Sequence, residues 1–118
     1  MAHHNITGNY GEELAANYLA KKGYDILHRN WRHSYYEIDI IATFNNVIHF
    51  IEVKTRRSAT FGYPEDDVSK KKVKFLMSSA EEFLYHHPHW KRIQFDILSL
   101  TINDDKSVDY FFIEDVSL

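Results

Sequence analysis

The run from Glu37 to Lys54, EIDIIATFNNVIHFIEVK, consists of two segments rich in β-branched residues, joined at Asn45-Asn46. Asparagine tolerates φ > 0, so two such segments separated by a pair of asparagines predict a β-hairpin with a tight primed turn. With Asn45 and Asn46 as the loop, Phe44 faces Val47 and the register is fixed. Asp39 is then expected directly opposite Glu52, and Glu37 opposite Lys54, with all four side chains on one face at one end. Three carboxylates against one ammonium leave an excess of two negative charges there. Like charges placed directly opposite one another destabilise a strand pair. A hard divalent cation, bound through oxygen ligands, is the obvious use for such a cluster. The plain alternative is a solvated strand end with a Glu37–Lys54 cross-strand pair. Against it, Ile38, Ile40 and Ile41 around Asp39, and Ile48, Phe50 and Ile51 before Glu52, predict central strands buried on both faces.

The hairpin sits in an α/β pattern. Asn9 is expected to cap a first helix running to about Lys22, with Gly23 as its stop and Glu12 completing a capping box. Leu14, Ala15, Tyr18 and Leu19 form the apolar arc of that helix; Glu12 lies at its edge and looks toward the sheet, whereas Glu13 faces away. A strand over Tyr24–Arg32 and a turn near His33-Ser34 lead into the hairpin. Residues 55–67 read as a loop containing Gly62 and Pro64. Arg56 and Arg57 would open it and suit phosphate contacts, while Phe61 and Tyr63 would either stack on a base or, the favoured reading, pin the loop.

A second helix is expected over Ser69–Tyr85, because Val73, Leu76, Met77, Ala80, Phe83 and Leu84 recur at helical spacing. Its first turn carries Lys70, Lys71 and Lys72, cations that oppose the helix dipole unless an anion such as a phosphate binds there. His86, His87 and His89 around Pro88 read as surface histidines rather than a metal site. Strands over Ile93–Ile102 and Val108–Glu114 follow, separated by a turn at Asn103–Lys106. The order α-β-β-β-α-β-β implies a mixed β-sheet flanked by helices.

Composition narrows the function. At 118 residues the chain is expected to form a single domain over 1–118, with residues 1–6 disordered. The sequence has no cysteine, which excludes disulfides and zinc–thiolate sites and suits a cytoplasmic location. It has no apolar run of membrane-spanning length, so no membrane partner is expected. A net charge of −3 argues against a polycation that coats nucleic acid. The distribution is uneven, however: residues 54–74 hold seven basic residues against three acids, and residues 101–118 hold Lys106 against five acids. That basic middle is either the local patch a DNA-contacting face needs or an ordinary solvated helix start.

An Asp followed by Glu-x-Lys on the next strand resembles the PD-(D/E)xK nuclease pattern. The ordered blocks GEELAANYLAKKGYDILHRNW, YEIDIIA and FIEVKTRR, within a stretch from about Gly8 to Asp96, are similar to the YraN-like family of bacterial predicted endonucleases, which look like archaeal Holliday-junction resolvases. The resemblance implies a restriction-endonuclease-like core and a DNA endonuclease dependent on Mg²⁺ or Mn²⁺, acting on branched or repair-intermediate DNA. It assigns Asp39 and Glu52 to the metal, Lys54 to the water and phosphate, and Glu12, the acid of the Gly11-Glu12 pair, to a supporting catalytic role. Arg56, Arg57, Lys70 and Lys72 are the residues expected to bind DNA, and Lys72 matches the family lysine that follows Val68. Asp96, of the family's Phe-Asp, is expected in a structural salt bridge. The chain departs from the family at Tyr36, where a Gly is usual, and at Gln94, where an Arg is usual. Two non-enzymatic alternatives remain: a DNA-binding module without turnover, serving a repair or uptake complex, and an interaction protein using Tyr110, Phe111 and Phe112 as its surface. DNA is the expected partner, with a homodimer left open.

Overall fold

A computed structural model describes residues 6–58 and 68–117, with side chains from residue 9 onward. Helix α1 (Ile6–Lys21) is followed by strands β1 (Asp25–His33), β2 (Tyr36–Phe44) and β3 (Val47–Arg57), helix α2 (Lys70–His86), and strands β4 (Ile93–Ile102) and β5 (Val108–Ile113). The five strands form one sheet in sequence order. All neighbours are antiparallel except β3 and β4, which are parallel and joined through α2. This is the expected mixed α/β architecture.

Local chemistry explains most of the boundaries. Asn45 and Asn46 have φ of 52° and 65°, the positive pair a primed turn requires, and Phe44 pairs with Val47 as expected. Gly23, at φ 100°, ends α1: its N–H reaches the Ala20 carbonyl at 3.1 Å, and the Tyr24 N–H reaches Leu19 at 3.0 Å, the paired bonds of a Schellman stop. The start of α1 differs from the expectation. The helix already includes Ile6, so Asn9 lies inside it and forms no N-cap, and the capping box with Glu12 falls away. Asparagine is only mildly unfavourable within a helix, so a cap-type residue does not oblige the helix to begin there. Ser69 does cap α2; its hydroxyl accepts the Lys72 N–H at 3.2 Å.

The sheet separates two apolar layers. On one side α1 sets Ala15, Ala16 and Leu19 against Ile40, Ala42, Ile51, Leu98 and Leu100. On the other, α2 sets Val73, Leu76, Ala80 and Phe83 against Ile41, Ile48, Phe50, Phe95 and Ile97. Alternation along β3 and β4 follows the period of two. Along β2 it breaks: Ile38 and Ile41 both belong to the α2 layer, although three residues apart they should face opposite ways. Asp39 lies between them, and the β1 residue facing it, Asn30, has φ 54°. The flanking pairs Arg29↔Ile40 and Trp31↔Ile38 form, and the pair between them does not.

Helix α1 approaches the sheet unusually closely at one point. A Cβ on Gly11 would lie 2.8 Å from the Cβ of Thr55 in β3, inside the contact limit, so only glycine fits.

Candidate functional site

The β2–β3 ladder runs from Phe44↔Val47 to Ile40↔Ile51 and stops. Beyond it, β3 continues with β4 from Glu52↔Ile97 to Arg57↔Ile102, while β2 continues with β1 through Arg32↔Glu37. The two central strands part where their carboxylates begin. The expected direct opposition of Asp39 to Glu52 and of Glu37 to Lys54 is therefore corrected: neither pair forms a ladder rung. The expected gathering at one end of the hairpin does occur, across a gap rather than across a pleat. Glu37, Ile38, Asp39, Glu52, Val53 and Lys54, roofed by Phe75 and Leu76 of α2, line a cleft of about 240 Å³.

Asp39 is the electrostatic centre of this cleft. Its Oδ2 accepts the Val53 N–H at 2.8 Å, so the carboxylate itself bridges the parted strands. Burial pushes its pKa up to about 7; the Val53 hydrogen bond opposes the rise, and the charges of Glu12, Glu52 and Glu37 add to it. Glu12, half-buried on α1, thus acts on the same carboxyl from the opposite layer. Glu13 is exposed and pairs with Arg29 at 3.2 Å, consistent with its expected outward face. Glu37 sits at the rim and meets Arg32 at 3.6 Å.

The basic residues divide into groups. Arg56 and Arg57 do not open a loop, as the sequence suggested; they finish β3, because parallel pairing with β4 carries the strand to Arg57↔Ile102. By alternation Arg56 shares the face of Glu52 and Lys54, whereas Arg57 shares the α1 face with Thr55. Lys70 and Lys72 stand in the first turn of α2, with Lys72 one turn before the cleft residue Leu76. Phe61 and Tyr63 lie outside the described residues.

Other expectations resolve plainly. Asp96 holds a structural pair: its Oδ2 lies 2.7 Å from His49 Nδ1, both residues buried. Gln94 donates to Asp96 Oδ1 at 2.8 Å, so the departure at this position serves the core. Tyr36 lies 6.1 Å ring to ring from Phe75, placing it beside the cleft wall. In the aromatic tail, Tyr110 stacks on Tyr18 at 4.3 Å and Phe112 packs edge-on to Tyr24, so only Phe111 remains largely exposed. That removes most of the partner surface imagined for it. Among the described residues, no helix is long and apolar enough to cross a membrane.

Sequence reasoning missed several residues. Phe75 and Leu76 wall the cleft, although only Leu76 was visible, as part of the apolar stripe. His49 was silent; its alternation with Ile51 on a buried strand was the available signal. The histidines near Pro88 do not converge. His87 stacks on Phe83 at 4.1 Å, and His89 neighbours Trp90. His86 instead joins Glu82 and His33.

Comparison with known proteins covers most of the chain. The model of the uncharacterised protein family UPF0102 matches residues 11–100, which include every carboxylate of the cleft, Lys54, and the basic residues named above. A UPF0102 protein of Phocaeicola vulgatus is 45% identical over 100 residues, covering 85% of this chain and 83% of its own. One from Syntrophomonas wolfei is 46% identical over 101 residues, covering 85% and 88%. One from Flavobacterium psychrophilum is 42% identical over 100 residues, covering 85% and 84%.

Proposed function

The chain belongs to the UPF0102 family, the YraN family that its sequence blocks pointed to, and from that premise we propose that it is a divalent-cation-dependent DNA endonuclease of the PD-(D/E)xK type. The observation that carries this reading is the convergence of Asp39, Glu52 and Lys54 in one cleft, opened by the parting of the two strands that bear them.

The donors fit Mg²⁺ or Mn²⁺. They are carboxylate oxygens, and among the described residues no sulfur or imidazole lines the cleft. Burial, with the charges of Glu12, Glu52 and Glu37 added to it, already makes Asp39 hold a proton to about pH 7, and a divalent cation would offset both costs. Asp39 Oδ2 accepts the Val53 N–H, which would leave Oδ1 as the oxygen available to a cation. Asp39 and Glu52 would hold the ion. When bound, it supplies Lewis acidity, acidifying water and offsetting phosphate charge. Lys54 then presents an ammonium to the scissile phosphate and orients the attacking water. Glu12 adds negative potential from the α1 side, favouring the cation. Phe75, Leu76 and Ile38 limit the bulk water that reaches the cleft, which strengthens each of these interactions. Branched or repair-intermediate DNA is the proposed substrate.

The direct test incubates the protein with branched, flapped and linear DNA in Mg²⁺ and in Mn²⁺, beside a Glu52→Gln control. Cleavage by the wild type and none by the control is expected. Binding without cleavage under every condition would instead make the protein a non-catalytic DNA-binding module.

The route of the DNA gives a second expected result. Arg56 shares the cleft face and Arg57 does not, so Arg56→Ala should weaken DNA binding more than Arg57→Ala. Lys70→Ala combined with Lys72→Ala should lower the slope of log K against log salt by roughly one to two, since each phosphate contact contributes about 0.9. Titrations at several salt concentrations decide this. An unchanged slope in the lysine pair would take the DNA off the α2 face.

A further inference from the structure

We propose that His33, Glu82 and His86 form a second metal site, for a borderline transition-metal ion such as Zn²⁺, which fastens edge strand β1 to the C-terminal turn of α2. Among the described residues this is the one group of three such donors whose ligand atoms all lie within 4.8 Å of one another. His33 ends β1, while Glu82 and His86 stand four apart on one face of α2. The proposal is independent of the cleavage reading, because none of the three residues lines the cleft.

The distances suit the ion. Glu82 Oε2 is 3.2 Å from His33 Nε2 and 3.0 Å from His86 Nε2. Nitrogen and oxygen ligands sit about 2.0–2.1 Å from Zn²⁺, so neighbouring ligand atoms of a tetrahedron are roughly 3.3 Å apart. Both imidazoles present Nε2 to the same point, which leaves Nδ1 to carry the proton when Nε2 donates its lone pair. The donor set, two imidazoles and one carboxylate, matches Zn²⁺ and its neighbours rather than Mg²⁺, which prefers oxygen alone.

The ligands are also held in place. The His33 ring lies parallel to Trp31, 12° between planes at 6.2 Å, and His86 meets Tyr85 edge-on at 5.2 Å. The two imidazoles are 5.1 Å apart, centre to centre. Side-chain exposures of 49% for His33, 28% for Glu82 and 44% for His86 leave an open path for the ion and a fourth position for water. Without an ion, two imidazole N–H groups sharing one carboxylate oxygen would account for the same contacts. The two cases differ in their response to metal.

Chelator-stripped protein titrated with Zn²⁺ by calorimetry should bind about one equivalent at this site. Co²⁺ added in its place should give the visible absorption of tetrahedral coordination. Zn²⁺ should raise Tm, because it binds the folded arrangement and not the unfolded chain. His33→Gln and His86→Gln should each lose the Co²⁺ spectrum and the Tm gain. Glu52→Gln should keep both, as should His3→Ala combined with His4→Ala, which removes the histidines outside the described residues. A wild type that binds no Zn²⁺, or a spectrum and Tm gain that survive both His33→Gln and His86→Gln, would overturn the site.

Discussion

Asp39→Asn is expected to abolish most cleavage and, without metal at pH 8, to make the protein more stable. The two effects share one cause. A carboxylate ligand contributes several kcal/mol of charge stabilisation to a metal-assisted displacement. At ~1.4 kcal/mol per tenfold in rate, its loss should lower cleavage on the order of 10³-fold. For stability, burial has raised the folded-state pKa of Asp39 from the ordinary 3.8 to about 7. The folded protein therefore binds more protons than the unfolded chain across that window, and wild-type stability falls as pH rises from about 4 to about 7. Asparagine keeps the shape and an oxygen for the Val53 N–H, and it carries no charge to desolvate beside Glu12, Glu52 and Glu37. The variant should thus match the wild type near pH 4 and exceed it by roughly 2–4 kcal/mol above pH 7, a Tm gain on the order of 10 °C. Mg²⁺ should raise the wild-type Tm and leave the variant's nearly unchanged. Melts at pH 4, 6 and 8, with and without Mg²⁺, measure this. A variant less stable than the wild type at pH 8, or a difference that does not change with pH, would make Asp39 a purely structural acceptor.

The second large effect lies on the opposite face of the sheet. Asp96→Ala should destabilise the fold by about 3–5 kcal/mol, the scale for breaking a buried pair by removing one partner. Asp96 is fully buried and accepts three hydrogen bonds, from His49 Nδ1 at 2.7 Å, the Gln94 amide at 2.8 Å and the Asp115 N–H at 2.9 Å. It therefore ties together β3, β4 and the segment after β5. Alanine would strand all three donors, each at about 1–3 kcal/mol if left unsatisfied. Tyr24 closes the pair from above, its ring 5.1 Å from His49; burial first, then the charge of Asp96, pushes its phenol up to about 12. Tm should fall by roughly 10–20 °C. His49→Ala should cost less, because the remaining donors still hold the carboxylate. A Tm within a few degrees of wild type in Asp96→Ala would show that water replaces these bonds readily.

Much of this was legible in the sequence because it is local. The hairpin register followed from Asn45-Asn46, since few turns accept two positive φ angles in succession. The core stripe of α2 followed from period, and the end of α1 from Gly23. The gathering of Asp39, Glu52 and Lys54 followed from counting out from the turn. Extending that register one rung too far produced the false opposition of Asp39 and Glu52. A uniform pleat was assumed, and the pleat breaks beside Asn30, whose positive φ lies in mid-strand; a lone asparagine without a second turn residue next to it did not mark the break. The remaining differences need partners distant in sequence. Arg56 and Arg57 are strand residues because β4 pairs with them across α2. His49 meets Asp96 by the same parallel pairing, and His33 meets His86 only once α2 has docked on β1. No short-range pattern encodes those contacts.

The missing side chain at Gly11 has a consequence for mechanical tolerance. The proposed catalytic set is distributed over two layers: Asp39, Glu52 and Lys54 belong to the sheet, while Glu12 rides on a helix. A set divided in this way can be aligned no better than the gap between its layers is controlled. Most helices rest on a sheet through several flexible side chains, and that cushion yields. At Gly11 there is no cushion, because the helix backbone seats directly on Thr55, one residue from Glu12 in the helix and one from Lys54 in the strand. The contact works as a hard stop that registers the two layers where alignment matters most. Misplacement of catalytic groups by about 1 Å can cost on the order of 10²-fold in rate. A single methyl at position 11 would press on Thr55 and introduce an error of that size at its source.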